Sequence, residues 1–261
     1  MHFDKIIMNP PYCKNLHLKI LQEAIKYSDD VVNLSPVRWL QDPLAEYKKN
    51  SDFKKFEDIR KRIKNLEVVP MKYAMTLFSV DFPMDIGIYH ITENGNFDVS
   101  TLVNQLLKKV LLKMPTAKNF DKNQKDGWRV KISVAGGGKN GGGGAGRKID
   151  LASQKLICFK DGMKDGKPWY DFYGKNQFSR CTPEIHWSIL FDSEDEANNW
   201  IAVQYTNLGK WIYNEMTMDM AIRPSNFLWL PTYTHPWTDK MLYEYFGLTE
   251  DEIKEIECSI K

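Results

Sequence analysis

Cysteine is scarce and poorly placed for pairing: four occur in 261 residues, Cys13, Cys158, Cys181 and Cys258, with no Cys-x-x-Cys pair among them. That excludes the spacing of a structural zinc site and gives no disulfide framework. The histidines, His2, His17, His90, His186 and His235, lack metal-ligand spacing as well, so no metal is expected. Neither sign of charge is in excess. Lys plus Arg total 36 against 34 for Asp plus Glu, a net charge of +2, and an electropositive surface would need local segregation. No apolar run reaches the roughly 18 residues that span a bilayer, and the N-terminus lacks a basic segment followed by a hydrophobic one. The expectation is a cytoplasmic protein in a reducing compartment. What is present, 43% hydrophobic, 13% aromatic and 27% charged residues, is the composition of a globular chain with one large or two modest domains, and it excludes disorder.

Residues 3–8 form a short β-prone run that stops at Asn9-Pro10-Pro11-Tyr12, where two prolines remove amide donors and fix φ. Leu16, Ile20, Leu21, Ala24 and Ile25 then recur at helical spacing ahead of a second β-run at 31–34. A strand, helix, strand unit predicts a parallel pair. The charged stretch 46–64 spaces Tyr47, Phe53, Phe56, Ile59 and Ile63 for one helical face and reads as one or two amphipathic helices. Residues 66–69 and 85–91 are further strands, joined by a segment rich in Met and Phe, which makes 1–94 one α/β layer.

After the Asn94-Gly95-Asn96 turn the texture changes, with a helix around 99–112 and an alternating run from Trp128 to Val134. Residues 136–146 hold eight of the sixteen glycines, and no regular element is expected there. Short β-runs at 156–159 and 187–191 precede Ser193, which opens a helical stretch to about 217. Thr238-Asp239 and Thr249-Glu250-Asp251-Glu252 each open a helix near the end, the latter as a capping box.

The chemistry-bearing segment is Asn9-Pro10-Pro11-Tyr12. An Asn side-chain carbonyl and the backbone carbonyl of Pro10, held rigid by Pro11, can both accept hydrogen bonds from one exocyclic NH₂. Two acceptors draw the nitrogen lone pair out of conjugation and make it a better nucleophile. Tyr12 offers an aromatic face for the ring that carries the amine, a contact worth about 1–3 kcal/mol in nucleic-acid systems. The bland alternative is a stiff Pro-Pro loop with a surface tyrosine. Asp4 and Asp85 are assigned no catalytic role, because this chemistry needs electrostatic positioning more than a strong base.

On these residues the sequence resembles the γ-class amino-methyltransferases, the DNA N6-adenine enzymes of bacterial or phage restriction-modification systems. The match runs through Phe3-Asp4-Lys5-Ile6-Ile7-Met8-Asn9-Pro10-Pro11-Tyr12, then Val31-Val32-Asn33-Leu34-Ser35-Pro36-Val37-Arg38-Trp39-Leu40, then 77–91, which is similar to the later strand pair of those enzymes. Residues 236–249 resemble the closing segment after their target-recognition region. The resemblance implies a partial Rossmann-like methyltransferase sheet in 1–94, an α+β DNA target-recognition domain in 95–235 and a helical tail in 236–261. It further implies base flipping of an adenine, Asn9 and Pro10 on N6, and Tyr12 on one face of the base. Phe82, just before the strand at 85, would stack on the other face, with Phe78 second; either is otherwise a core aromatic.

Lys139, Arg147 and Lys148 around the glycine tract are candidate phosphate contacts, and Arg129 and Lys131, among Trp128, Trp169, Tyr170, Tyr173, Lys175 and Arg180, are candidates for the same DNA surface. The alternatives are a linker and the core and rim of a small β-rich domain. The family's S-adenosylmethionine site lies on strands that precede the Asn-Pro-Pro-Tyr strand, and this sequence begins eight residues before it. The glycine tract is low-complexity and does not substitute for a strand-to-helix cofactor turn. The strand bearing Asn9 would then be a sheet edge that something must cover, which implies a split or truncated form of the enzyme, with a second polypeptide carrying the cofactor-binding half. Two rival functions stand beside this one: a non-catalytic DNA-binding or assembly protein derived from a methyltransferase, and a methyltransferase acting on a glutamine amide in a protein.

Overall fold

The computed structural model describes residues 1–78, 84–118, 128–133, 157–160, 163–164, 167–168, 186–216 and 224–260. These divide into two compact units, Met1–Leu112 and Lys113–Lys261. The division falls beyond the composition change near residue 95, because Phe97, Val99 and Leu102 pack on the core of the first unit and the Phe97 amide donates to the Ile63 carbonyl.

In the first unit β1 (Ile6–Met8) leads through a 3₁₀ turn (Cys13–Asn15) into α1 (Leu16–Ala24) and then β2 (Asp30–Pro36). β1 and β2 are parallel, with Ile6 opposite Val31 and Met8 opposite Asn33. Leu18, Leu21 and Ile25, three to four residues apart, form the buried stripe of α1 and of the turn that follows it. Asn15 takes the left-handed conformation at φ 59° that lets the 3₁₀ turn pass into α1, a conformation Asn tolerates better than most residues.

Three short helices follow, α2 (Arg38–Gln41), α3 (Asp52–Lys55) and α4 (Glu57–Lys61), then β3 (Ile63–Val69), α5 (Met71–Phe78) and β4 (Ile86–Thr92). A 3₁₀ turn (Val99–Leu102) and α6 (Gln105–Lys113) come after it, where the sequence predicts a helix around 99–112. The sheet order is β1-β2-β4-β3, with β4 antiparallel to both neighbours. The fold of this unit is therefore mixed α/β on a four-stranded mixed sheet. Along β2, Val31, Asn33 and Ser35 are buried while Val32 and Leu34 are half-buried, the period of two that a sheet imposes.

Two expectations need correction here. Residues 46–64 do not make one helical face. Tyr47 is 60% exposed, Phe56 at φ −111° and ψ 39° separates α3 from α4, and Ile63 enters the core as a strand residue. Residues 77–78, where the segment likened to a strand pair begins, are the end of α5 and not strand. The first amide of α5 is held by the Asp85 carboxylate, Met71 N to Asp85 Oδ1 at 2.8 Å.

Among the described residues of the second unit, five strands form an antiparallel sheet, β5 (Trp128–Ser133), β6 (Ile157–Lys160), β7 (Met163–Lys164), β8 (Lys167–Pro168) and β9 (His186–Phe191), in the order β8-β7-β6-β5-β9. The helices α7 (Glu194–Gln204), α8 (Asn207–Met216), α9 (Asp239–Phe246) and α10 (Glu250–Ser259) follow β9. Ser193, Thr238 and Thr249 each cap a helix by accepting from the backbone three residues on, and Glu252 completes the capping box at Thr249. Gly247, at φ 64°, ends α9 with its amide on the Glu244 carbonyl and the Leu248 amide on that of Tyr243. Among the described residues no helix is long and apolar enough to cross a membrane.

Candidate active site at the end of the first strand

The strand directions of the first unit bring several chain segments to one end of the sheet. β1, β2 and β3 run the same way and β4 runs against them, so the residues that leave β1, β2 and β3, and those that enter β4, share that end. Asn9-Pro10-Pro11-Tyr12, Val37-Arg38-Trp39, Pro70 with the start of α5, and Asp85 all lie there. The carboxyl ends of parallel strands are where open α/β sheets bind ligands, because loops there are free of the ladder while the strands hold their roots.

Pro10 is buried, Tyr12 is half-buried, and Asn9 and Pro11 are exposed. The Tyr12 hydroxyl donates to Asn9 Oδ1 at 2.7 Å and lies 3.4 Å from the Leu34 carbonyl oxygen on β2. Burial raises the Tyr12 phenol above its ordinary pKa, so the hydroxyl keeps its proton and remains a donor. An exposed Asn amide beside a buried proline thus has its oxygen end fixed by a neighbour three residues away, with one oxygen lone pair left for a second donor.

The ground beneath the loop is polar and closed. His17 on α1, only 5% exposed, meets the Tyr12 ring edge-on, with centroids 5.8 Å apart and planes at 81°. Burial lowers its pKa, opposed in part by a hydrogen bond with the Tyr12 backbone and by the Asp52 charge, and Nδ1 is buried without a hydrogen-bond partner. Asn15 Nδ2 donates to Asp52 Oδ2 at 2.7 Å, which ties the 3₁₀ turn to α3.

On β2, directly opposite Met8, Asn33 is fully buried. Its Nδ2 donates to Ser35 Oγ at 2.7 Å while Oδ1 has no partner. Deeper in, Trp39 Nε1 donates to the Tyr89 hydroxyl at 3.0 Å, and that hydroxyl donates to the Pro36 carbonyl at 2.9 Å. This fastens the chain as it leaves β2. Asp85 does the same for α2 and α5, accepting from Gln41 Nε2 at 3.0 Å as well as from Met71 N. Asp85 therefore acts as a brace at this end of the sheet.

Asn9, Pro10, Pro11 and Tyr12 form the loop between β1 and the 3₁₀ turn. Phe82, Lys139, Arg147 and Lys148 lie outside the described residues, as do Trp169, Tyr170, Tyr173, Lys175 and Arg180. Phe78 is the last residue of α5, and Arg129 and Lys131 occupy alternate positions of β5 in the second unit, opposite Leu190 and Ser188 of β9. Sequence reasoning passed over His17 and Asn33. The signal for His17 was its place beside Leu18 on the apolar stripe of α1; the signal for Asn33 was an amide between Val32 and Leu34 in an otherwise apolar strand.

None of the described glycines Gly87, Gly95, Gly209 and Gly247 stands in a strand-to-helix turn beside β1. Nor do three His, Cys, Asp or Glu residues among those described come close enough to hold a metal ion. In comparisons with known proteins, no family model, no curated protein and no solved structure matches the chain.

Proposed function

We propose that this chain is the catalytic and target-recognition portion of an S-adenosylmethionine-dependent DNA N6-adenine methyltransferase, and that a second polypeptide supplies the cofactor site. The observation that carries the reading is the loop at the carboxyl end of β1, where Asn9 Oδ1 is held by the Tyr12 hydroxyl beside the buried Pro10. Asn9 Oδ1 and the Pro10 carbonyl accept from the two N6 hydrogens of an adenine turned out of the duplex, and the Tyr12 ring packs on the base. Acceptors on both hydrogens leave the nitrogen lone pair as the only group free to react, and preorganisation keeps them in place without reorganisation.

The sheet supports the partner. Among the described residues β1 pairs with β2 alone, and Ile7 at its centre is 75% exposed. An apolar strand with one open side is a template for another chain's strand. The second unit, with its antiparallel sheet, would bear the DNA target, with Arg129 and Lys131 on β5 as phosphate contacts, while Phe82 of the first unit would be the second stacking ring.

In a reconstituted complex, Asn9→Ala abolishes methyl transfer while leaving DNA affinity within a few fold; retained turnover rejects the assignment. Titrating the purified chain with S-adenosylmethionine tests the partner, since tight binding by the chain alone would remove the need for one.

A further inference from the structure

An asparagine that accepts from an amine must present its oxygen. Its side-chain amide torsion is broad and roughly two-fold, and turning it over puts an NH₂ where the oxygen stood, so that a donor faces a donor. Something has to set which end faces the ligand. Asn9 is exposed at the end of β1, so packing alone does not decide it.

The Tyr12 hydroxyl has two acceptors within reach and a single proton. At 2.7 Å, Asn9 Oδ1 is at the optimum for an O–H···O bond; at 3.4 Å, the Leu34 carbonyl is beyond its usual range. The proton therefore goes to Asn9. Were it given to Leu34 instead, the hydroxyl oxygen would accept from Asn9 Nδ2, the amide would turn over, and the loop would offer a donor suited to a carbonyl. The ring stands T-shaped against that of His17, which is itself buried in α1.

We infer that the Tyr12 hydroxyl is a positioning and specificity group that sets the hydrogen-bond polarity of Asn9, so that the loop takes a ring bearing an exocyclic amine and rejects the same ring bearing a carbonyl. This rests on the function proposed above, and it adds to the stacking role of Tyr12 a second one that belongs to the oxygen and not to the ring. It makes Tyr12→Phe, which keeps the ring, a different lesion from Tyr12→Ala.

The test uses the full chain labelled with ¹³C and ¹⁵N at asparagine, the Asn9 side-chain signal being assigned by its loss in Asn9→Ala. The labelled protein is titrated with deoxyadenosine and, separately, with deoxyinosine, which differ at the purine 6-position in carrying an amino group or an oxygen. The wild type is expected to answer deoxyadenosine with an Asn9 shift several-fold larger than that for deoxyinosine, and Tyr12→Phe to bring the two within about twofold. Equal responses in the wild type, the absence of any included, overturn the inference, as does a preference unchanged in Tyr12→Phe.

A second arm reads methyl transfer in the reconstituted complex. Tyr12→Phe lowers kcat about tenfold with KM nearly unchanged, and has no further effect in an Asn9→Ala background, because a hydroxyl that acts through Asn9 loses its purpose with it. Wild-type kcat in Tyr12→Phe overturns the inference while leaving the methyltransferase reading intact. Turnover retained in Asn9→Ala rejects that reading, and the nucleoside titration still decides the polarity.

Discussion

In the second unit Trp200, Trp211 and Trp229 are each no more than 2% exposed, beside Tyr213, Phe191, Phe227 and Phe246, whereas the interior of the first is mostly aliphatic, along Leu18, Leu21, Ile59 and Ile63, and admits His17, Asn33 and Ser35. Rings of Trp200, Phe227, Trp229, Tyr213 and Phe191 lie 5.3 to 5.8 Å from their neighbours, a spacing that adds to the gain from burial. Gln204, a polar residue within that core, gives Nε2 to the Leu228 carbonyl and takes the Leu228 amide on Oε1, imitating a strand partner. Among the described residues, the buried side-chain atoms without partners are His17 Nδ1, Asn33 Oδ1, Ser51 Oγ and Arg60 Nε in the first unit against Trp200 Nε1 in the second. A buried group left so costs about 1–3 kcal/mol, and the first two flank the Asn9 loop. Among the described residues the unpaired buried atoms thus fall mainly in the unit that carries the candidate site, the pattern expected where a site takes precedence over packing.

The largest break in this contrast is Trp200→Ala. Removing a ring in contact with Phe191, Phe227 and Trp229 leaves a cavity, and the loss is expected at about 3–5 kcal/mol by denaturant unfolding. A loss under about 1 kcal/mol would mean that the aromatic cluster does not carry this unit. Next comes Tyr89→Phe in the first unit, which leaves Trp39 Nε1 and the Pro36 carbonyl without the hydroxyl that joins them. The expected cost is about 1–3 kcal/mol, because the ring stays and only buried hydrogen bonds go. If Tyr89→Phe equals Trp200→Ala, the first unit depends on its polar core as much as the second on its rings. Thr249→Ala is smaller, about 1 kcal/mol, since it removes one cap and half of a capping box at an exposed helix start.

Much of the scaffold was legible because its signals are local. Helix starts at Ser193, Thr238 and Thr249 are written in the cap and the acidic turn behind it, and the parallel pairing of β1 with β2 follows from the helix between them. Residues 46–64 misled because apolar spacing at Tyr47, Phe53, Phe56, Ile59 and Ile63 fits a helix whether or not the backbone continues. The break at Phe56 and the pairing of Ile63 with β4 are tertiary. The same holds at the site. Four consecutive residues could be singled out from chemistry alone, but the bond from Tyr12 to Asn9, the edge-on contact of His17 and the place of Asn33 opposite Met8 depend on how strands pair and where α1 lands. A side chain's partners across the sheet are not a property of its own segment.

The smallest effect is the most diagnostic for the contrast, and it concerns His17. Burial lowers its pKa below the ordinary 6.5 while the unfolded chain keeps the ordinary value. Between those two values the unfolded chain binds a proton that the fold does not. Stability therefore falls as pH drops through 6.5 and stops falling on this account only below the depressed folded value. Asp30 behaves in another window: the hydrogen bond from Lys5, with His90 assisting, lowers its pKa below 3.8, so its contribution is complete above that value and is lost as pH falls further. Midpoints of denaturant unfolding measured from pH 7.5 to 4.5 should decline for the wild type. The decline should be shallower for His17→Phe, which keeps a ring against Tyr12 and removes the titrating nitrogens. An identical slope in the two proteins would mean that His17 is not held neutral by the fold, and the polar ground beneath the Asn9 loop would then be wetter than its burial indicates.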